Sequence, residues 1–134
     1  MMAGTLGVGV DLVRVSRVAE SIENFGDRFL HRVFTPGELA YAEQAPALAA
    51  ERLAARFAAK EAAIKALGLA EQGVNLRDIE VQRAPSGQCH MALHGSANAA
   101  ATVAGIQQLS VSLSHEGDYA IAVVVARSKE IPNT

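Results

Sequence analysis

The sequence predicts an α+β domain: a mostly antiparallel sheet packed against one long helix and several short helices. Three observations carry that prediction. Residues 6–13, 109–113 and 119–125 show the alternating pattern of strands. Residues 47–67 run without a breaker and are rich in alanine, as a long helix requires. Short polar turns, Pro85-Ser86-Gly87 and Ser114 to Asp118, separate neighbouring strand segments. The chain of 134 residues has room for a single domain, 1–134, and a residue composition that is 50% hydrophobic and 19% charged excludes intrinsic disorder.

In chain order, Leu6, Val8, Val10 and Leu12 share one face of the first strand, and Gly7, Gly9 and Asp11 share the other. Ser16 is placed to cap a helix through Val18, Ile22 and Phe25, which Gly26 ends. A short helical piece follows around Phe29, Leu30 and Val33. Thr35-Pro36-Gly37-Glu38 is a capping box with proline at the first helical position, opening a helix toward Gln44. In the long helix, about 100° per residue puts Leu53, Phe57 and Ile64 on one stripe, the expected buried face, with Gly68 just past the end. Ile79–Arg83 and Cys89–Leu93 read as a strand pair, Ser96–Ala104 as a small-residue helix closed by Gly105, and the last two strands as a hairpin.

The formal net charge of −2 supplies no global basic field, so nucleic acid is not an expected partner. The lone Cys89 has no partner for an intramolecular disulfide, and no Cys/His cluster has zinc-ligand spacing. The first residues lack the cationic lead and apolar run of a signal peptide, and no stretch approaches the ~20 apolar residues of a membrane span. The expectation is a soluble, cytoplasmic protein without a membrane partner.

Asp11 and Glu61 stand out. Asp11 reads either as a strand-end residue capping the next helix or as a carboxylate aimed into a cleft floored by bare glycine backbone, suited to a bulky anion or hydrated cation. Glu61 and Lys65 form an i,i+4 pair that a solvated face would also favour, by about 0.2–0.5 kcal/mol. Lying beside an apolar stripe and between Lys60 and Lys65, Glu61 also fits a divalent-metal and phosphate site, with Lys65 meeting phosphate. His115 falls in the last hairpin loop beside Ser114, where it is either solvated or turned to a phosphate. No Walker loop, nucleophile elbow or full dinucleotide fingerprint is present.

Five blocks then resemble the holo-acyl-carrier-protein synthases, the small 4′-phosphopantetheinyl transferases. They are Gly7-Val8-Gly9-Val10-Asp11 with Arg17, Arg28 to Glu38, Arg56 to Gly68 with its Lys60-Glu61-Ala62-Ala63-Ile64-Lys65-Ala66 core, Asp78-Ile79-Glu80-Val81, and Val111 to His115 with Tyr119 and Ala120. The blocks stand in family order and cover nearly the whole chain. The resemblance implies the 4′-phosphopantetheinyl transferase fold and transfer of the phosphopantetheinyl arm of coenzyme A to a serine of an apo acyl carrier protein, releasing adenosine 3′,5′-bisphosphate. It implies that Asp11 and Glu61 bind Mg²⁺, that Lys65 steadies phosphate oxygens, and that Arg56, Ser114 and His115 contact the nucleotide end, with Gly68 also at the coenzyme. Ser86 and Gly87 would reach the adenine from a neighbouring subunit of a homotrimer, and Arg17, Arg28 and Arg32 would meet the acidic carrier. The base for the serine proton stays open between a metal-bound water and an acidic group. The chain departs from the family pattern after Gly68, where Leu69 and Ala70 replace further glycines and Gly73 comes later. That departure, with Glu20 and Glu23 on the docking helix, leaves a second reading, a coenzyme A- or nucleotide-binding regulatory module; a third is a structural oligomer whose alanine-rich helix packs between subunits.

Overall fold

The computed structural model describes residues 4–129. Strand β1 (Leu6–Arg14) pairs antiparallel with β5 (Tyr119–Ser128), and β5 with β4 (Ile106–Glu116), giving the order β1-β5-β4. A separate antiparallel pair joins β2 (Ile79–Arg83) to β3 (Cys89–Leu93). Helices α1 (Val15–Phe25), α2 (Asp27–Val33), α3 (Pro36–Glu43) and α5 (Gly95–Val103) surround the longest, α4 (Ala49–Leu67). The α+β prediction holds, and every described strand pair is antiparallel.

Helix α4 packs along the three-stranded sheet through small side chains. Ala58, Ala59, Ala62, Ala63 and Ala66 share one core cluster with Ala122, Val124 and Ala126 of β5. Alanines on both surfaces let helix and sheet backbones approach closely, which compensates for scarce aromatics. A second cluster joins Phe34, Val18 and Val33 to Leu53, Ala54 and Ala120. The predicted stripe therefore moves. Leu53 is buried, whereas Phe57 and Ile64 are only partly so, because α4 is covered on several sides and its alanines form the core.

The glycine row of β1 is a contact surface rather than a cleft floor. A Cβ on Gly9 would lie 1.9 Å from Ala62 O, and one on Gly7 would lie 2.1 Å from Ala66 O. The glycines thus let β1 lie directly on the backbone of α4. The opposite row faces outward: Leu6, Val8, Val10 and Leu12 are 50 to 66% exposed.

Two local expectations are corrected. Ser16 lies inside α1 and makes no cap; its N–H and hydroxyl donate to the Asp118 carboxylate at 2.9 and 2.6 Å, and Val15 N–H donates to Asp118 O at 2.8 Å. The cap is supplied across the fold because a carboxylate is the stronger acceptor at a helix N-terminus. The last hairpin is also tighter than predicted. Strand β4 continues through Ser114, His115 and Glu116, so His115 is a strand residue paired with Ala120. The capping box at α3 forms as expected, and Gly68 closes α4 in the left-handed conformation at φ 69°.

Candidate functional site

The glycine contact sets where Asp11 goes. Gly7 meets α4 at Ala66 and Gly9 meets it at Ala62; Asp11, the next residue of that row, lines one pocket together with Glu61 of α4. Lys65 Nζ closes the group, donating to Val10 O at 2.9 Å and to Asp11 Oδ1 at 3.2 Å. Burial pushes the Glu61 carboxyl up, and the Asp11 charge adds to that shift against the opposing pull of Lys65. The exposed ammonium thus pairs with Asp11, and Glu61 lies close enough to feel both charges.

A pocket of about 530 Å³ opens on this group, lined by Asp11 and Glu61, by Arg14 and Arg17, and by Phe29 and Phe57. The donor set fits a hard dication. Magnesium takes one or two carboxylates and completes its shell with water and phosphate oxygens. Among the described residues no cluster of three or more His, Cys, Asp or Glu could cage a metal alone.

Lys60 does not join this group. It is fully buried on another side of α4, with Nζ 2.8 Å from Glu38 Oε1, donating also to Leu76 O at 3.0 Å and to Ile79 O. Glu38 in turn accepts from Thr35 N–H at 2.9 Å and Val81 N–H at 2.8 Å. Burial holds the Lys60 ammonium below its usual pKa despite the attraction of Glu38. The expected pair of ammonium groups beside Glu61 is therefore one, Lys65. Lys60 instead ties α4 to α3 and β2.

The nucleotide-end candidates gather elsewhere. Arg56, Ser114 and His115 line a second pocket, of about 310 Å³, with Tyr41, Arg52 and Arg83. Arg56 is 4% exposed; its Nη1 donates to Arg52 O at 3.3 Å, while its Nε has no hydrogen-bond partner. Burial pushes its pKa down, yet a guanidinium stays charged throughout the physiological range. His115 Nδ1 lies 3.1 Å from Glu51 Oε1.

A third hollow, of about 320 Å³, lies between the two on the exposed sheet face. It shares Leu12 and Tyr119 with the first pocket and Ser114 and His115 with the second. Ser86, Gly87 and Gly68 line neither main pocket, although a Cβ on Gly87 would lie 3.2 Å from Arg83 Nη2. Arg17 borders the acid pair, whereas Arg28 is exposed on α2 and Arg32 faces a separate groove with Arg77. The sequence reading missed Tyr41, Arg52, Arg83 and Glu51. The i,i+4 spacing of Arg52 and Arg56 puts them on one helix face and was the available signal; nothing local places Arg83 there.

Comparison with known proteins gives concordant matches. The model of the 4′-phosphopantetheinyl transferase superfamily matches residues 7–124. A holo-[acyl-carrier-protein] synthase from Koribacter versatilis is 50% identical over 121 residues, 90% of this chain and 96% of that protein. The ACPS–CoA complex from Chronobacterium ammoniagenes superposes with a TM-score of 0.84 at 34% identity, covering 94% of this chain and 99% of the other. The Helicobacter pylori holo-[acyl-carrier-protein] synthase in complex with coenzyme A gives 0.77 at 30% identity, covering 89% and 98%.

Proposed function

The chain belongs to the holo-[acyl-carrier-protein] synthases of the 4′-phosphopantetheinyl transferase superfamily, and from that premise we propose that Asp11, Glu61 and Lys65 are the group at which it works. The reaction transfers the 4′-phosphopantetheine of coenzyme A to a serine hydroxyl of an apo acyl carrier protein, as in fatty acid biosynthesis, and releases adenosine 3′,5′-bisphosphate. The observation that carries the site is that Asp11 and Glu61 line one pocket while Lys65 pairs with Asp11 at 3.2 Å.

Asp11 and Glu61 hold Mg²⁺ in this reading. When bound, the ion neutralises the pyrophosphate and stabilises charge on the departing phosphate. Lys65 supplies a fixed positive charge beside the same oxygens, a gain because phosphoryl transfer depends on positioning and electrostatics. The nucleophile is the carrier's serine, which agrees with the absence of an internal nucleophile motif. Arg17 at the pocket rim, with Arg28 and Arg32 on α2, meets the acidic carrier. Arg56, Ser114 and His115, with Gly68, Ser86 and Gly87, bind the nucleotide portion.

The acid pair with Arg17, and Arg56 with Ser114 and His115, occupy different pockets of one chain, separated by the exposed face of β1 and β5. We place a second copy on that face, in the homotrimer that the resemblance implies, so that each site draws residues from two protomers. A contiguous apolar face of this kind marks an interface. Leu12→Glu is expected to give a monomer with little turnover, read by sedimentation and by assay. A wild-type monomer with full activity would overturn the assembly. A cytoplasmic location fits the free Cys89 and the absence, among the described residues, of any helix long and apolar enough to cross a membrane. The domain is read as spanning 1–134, although residues 1–3 and 130–134 lie outside the described residues.

Mass spectrometry tests the whole reading. With coenzyme A, magnesium and an apo carrier, the carrier is expected to gain one phosphopantetheinyl arm, and chelation of the metal to stop the gain. Tight coenzyme A binding with no mass change would instead favour a regulatory module.

A further inference from the structure

Tyr41 of α3 stands against the guanidinium pocket without a part in the reaction so far. The guanidinium carbons of Arg52 and Arg56 each lie 4.2 Å from its ring centroid, and that of Arg83 lies at 5.7 Å. Arg52 Nη1 also donates to Tyr41 O at 2.9 Å, so one residue holds this arginine by ring and by backbone. Among the described residues no carboxylate pairs with any of the three. The nearby Glu51 pairs with His115 instead. The buried Arg56 Nε, with no hydrogen-bond partner, leaves a charged donor unspent in the pocket wall.

Three like charges converging without a counter-ion repel one another, and an aromatic face is what holds them together. Planar guanidinium groups present paired N–H donors that match phosphate oxygens. We propose that Tyr41 is a positioning residue for the coenzyme: its ring holds Arg52 and Arg56 side by side as a clamp for a terminal phosphate monoester, so that the enzyme discriminates coenzyme A from its dephosphorylated form. The proposal rests on the reading of this pocket as the nucleotide-end subsite. A monoester near neutral pH carries close to two negative charges, and it rewards cations held in fixed register more than a singly charged diester does. Without the ring the guanidiniums separate and the register is lost.

Steady-state kinetics with coenzyme A and with dephospho-coenzyme A at saturating carrier test this. Tyr41→Leu is expected to raise KM for coenzyme A about tenfold, with kcat and the KM for dephospho-coenzyme A unchanged. Tyr41→Phe keeps the ring and is expected to restore the wild-type preference. Should Tyr41→Leu fail to fold, Arg52→Gln provides the second measurement and is expected to reduce the same preference. An unchanged preference in the folded variant, or equal effects on both substrates, overturns the positioning role. In that event Arg56→Gln separates the two levels: if it lowers the preference, the subsite reading stands without the Tyr41 clamp; if it does not, both fall.

Discussion

Glu61→Gln is expected to lose about three orders of magnitude in turnover while the metal-free variant unfolds at a higher temperature than the parent at neutral pH. The two effects share one cause. Burial and the Asp11 charge push the Glu61 carboxyl above its ordinary range, so the folded protein binds that proton more tightly than the unfolded chain. Stability from this group is complete below the ordinary carboxylate value and is lost as pH rises through the raised one. At neutral pH the parent therefore bears the cost of a half-buried charge next to that of Asp11, which the amide removes, and the stability of the variant should depend less on pH across that window. In the proposed role the same carboxylate ionises to hold a dication, so turnover in the parent should fall as pH drops through the raised value. Metal titration followed by calorimetry, with initial rates across pH, checks each part. Near-normal rates for Glu61→Gln at saturating magnesium would remove Glu61 from the mechanism.

Lys60→Met is expected to destabilise the protein by about 3–5 kcal/mol, the usual effect of stranding one partner of a buried ion pair, measured by urea unfolding. Glu38 would keep the Thr35 and Val81 N–H groups but lose its cation. Removing both charges in Glu38→Gln/Lys60→Met should recover part of the loss. If the single variant is as stable as the parent, the pair is not a structural tie. The pair also orients the site. Lys60 anchored on one side of α4 holds the rotation of the helix, and Glu61, one residue on, lines the pocket that Asp11 also lines. The single variant should lose turnover at temperatures where it is still folded.

Much of this was legible in the sequence because it is local. The Thr35–Glu38 box, the Gly68 cap and the unbroken alanine-rich run each depend on neighbours within a few residues, and each forms as read. Failures came where a distant group outcompeted a local one. Asp118 took Ser16 from its predicted capping role. The alternation in β1 separated two faces but could not show that the glycine row meets α4, nor that the apolar row faces out. Helical periodicity chose the large residues Phe57 and Ile64 for the buried stripe, whereas a helix covered on several sides buries its alanines. At the site, Asp11 and Glu61 line one pocket and Lys65 pairs with Asp11, while Lys60 is drawn away by Glu38, which sits 22 residues earlier on another helix. Arg83 reaches the guanidinium pocket from β2, so only tertiary structure reveals it.

The tie between the 117–118 turn and the start of α1 makes that turn a ruler. One inserted residue there would lift the Asp118 carboxylate off Ser16 and shift Arg17 at the pocket rim, so, with Arg17 in its proposed role, a change in loop length far along the chain would surface as a defect in carrier recognition. The segment after Gly68 carries no comparable link to α1, and indels should accumulate there instead.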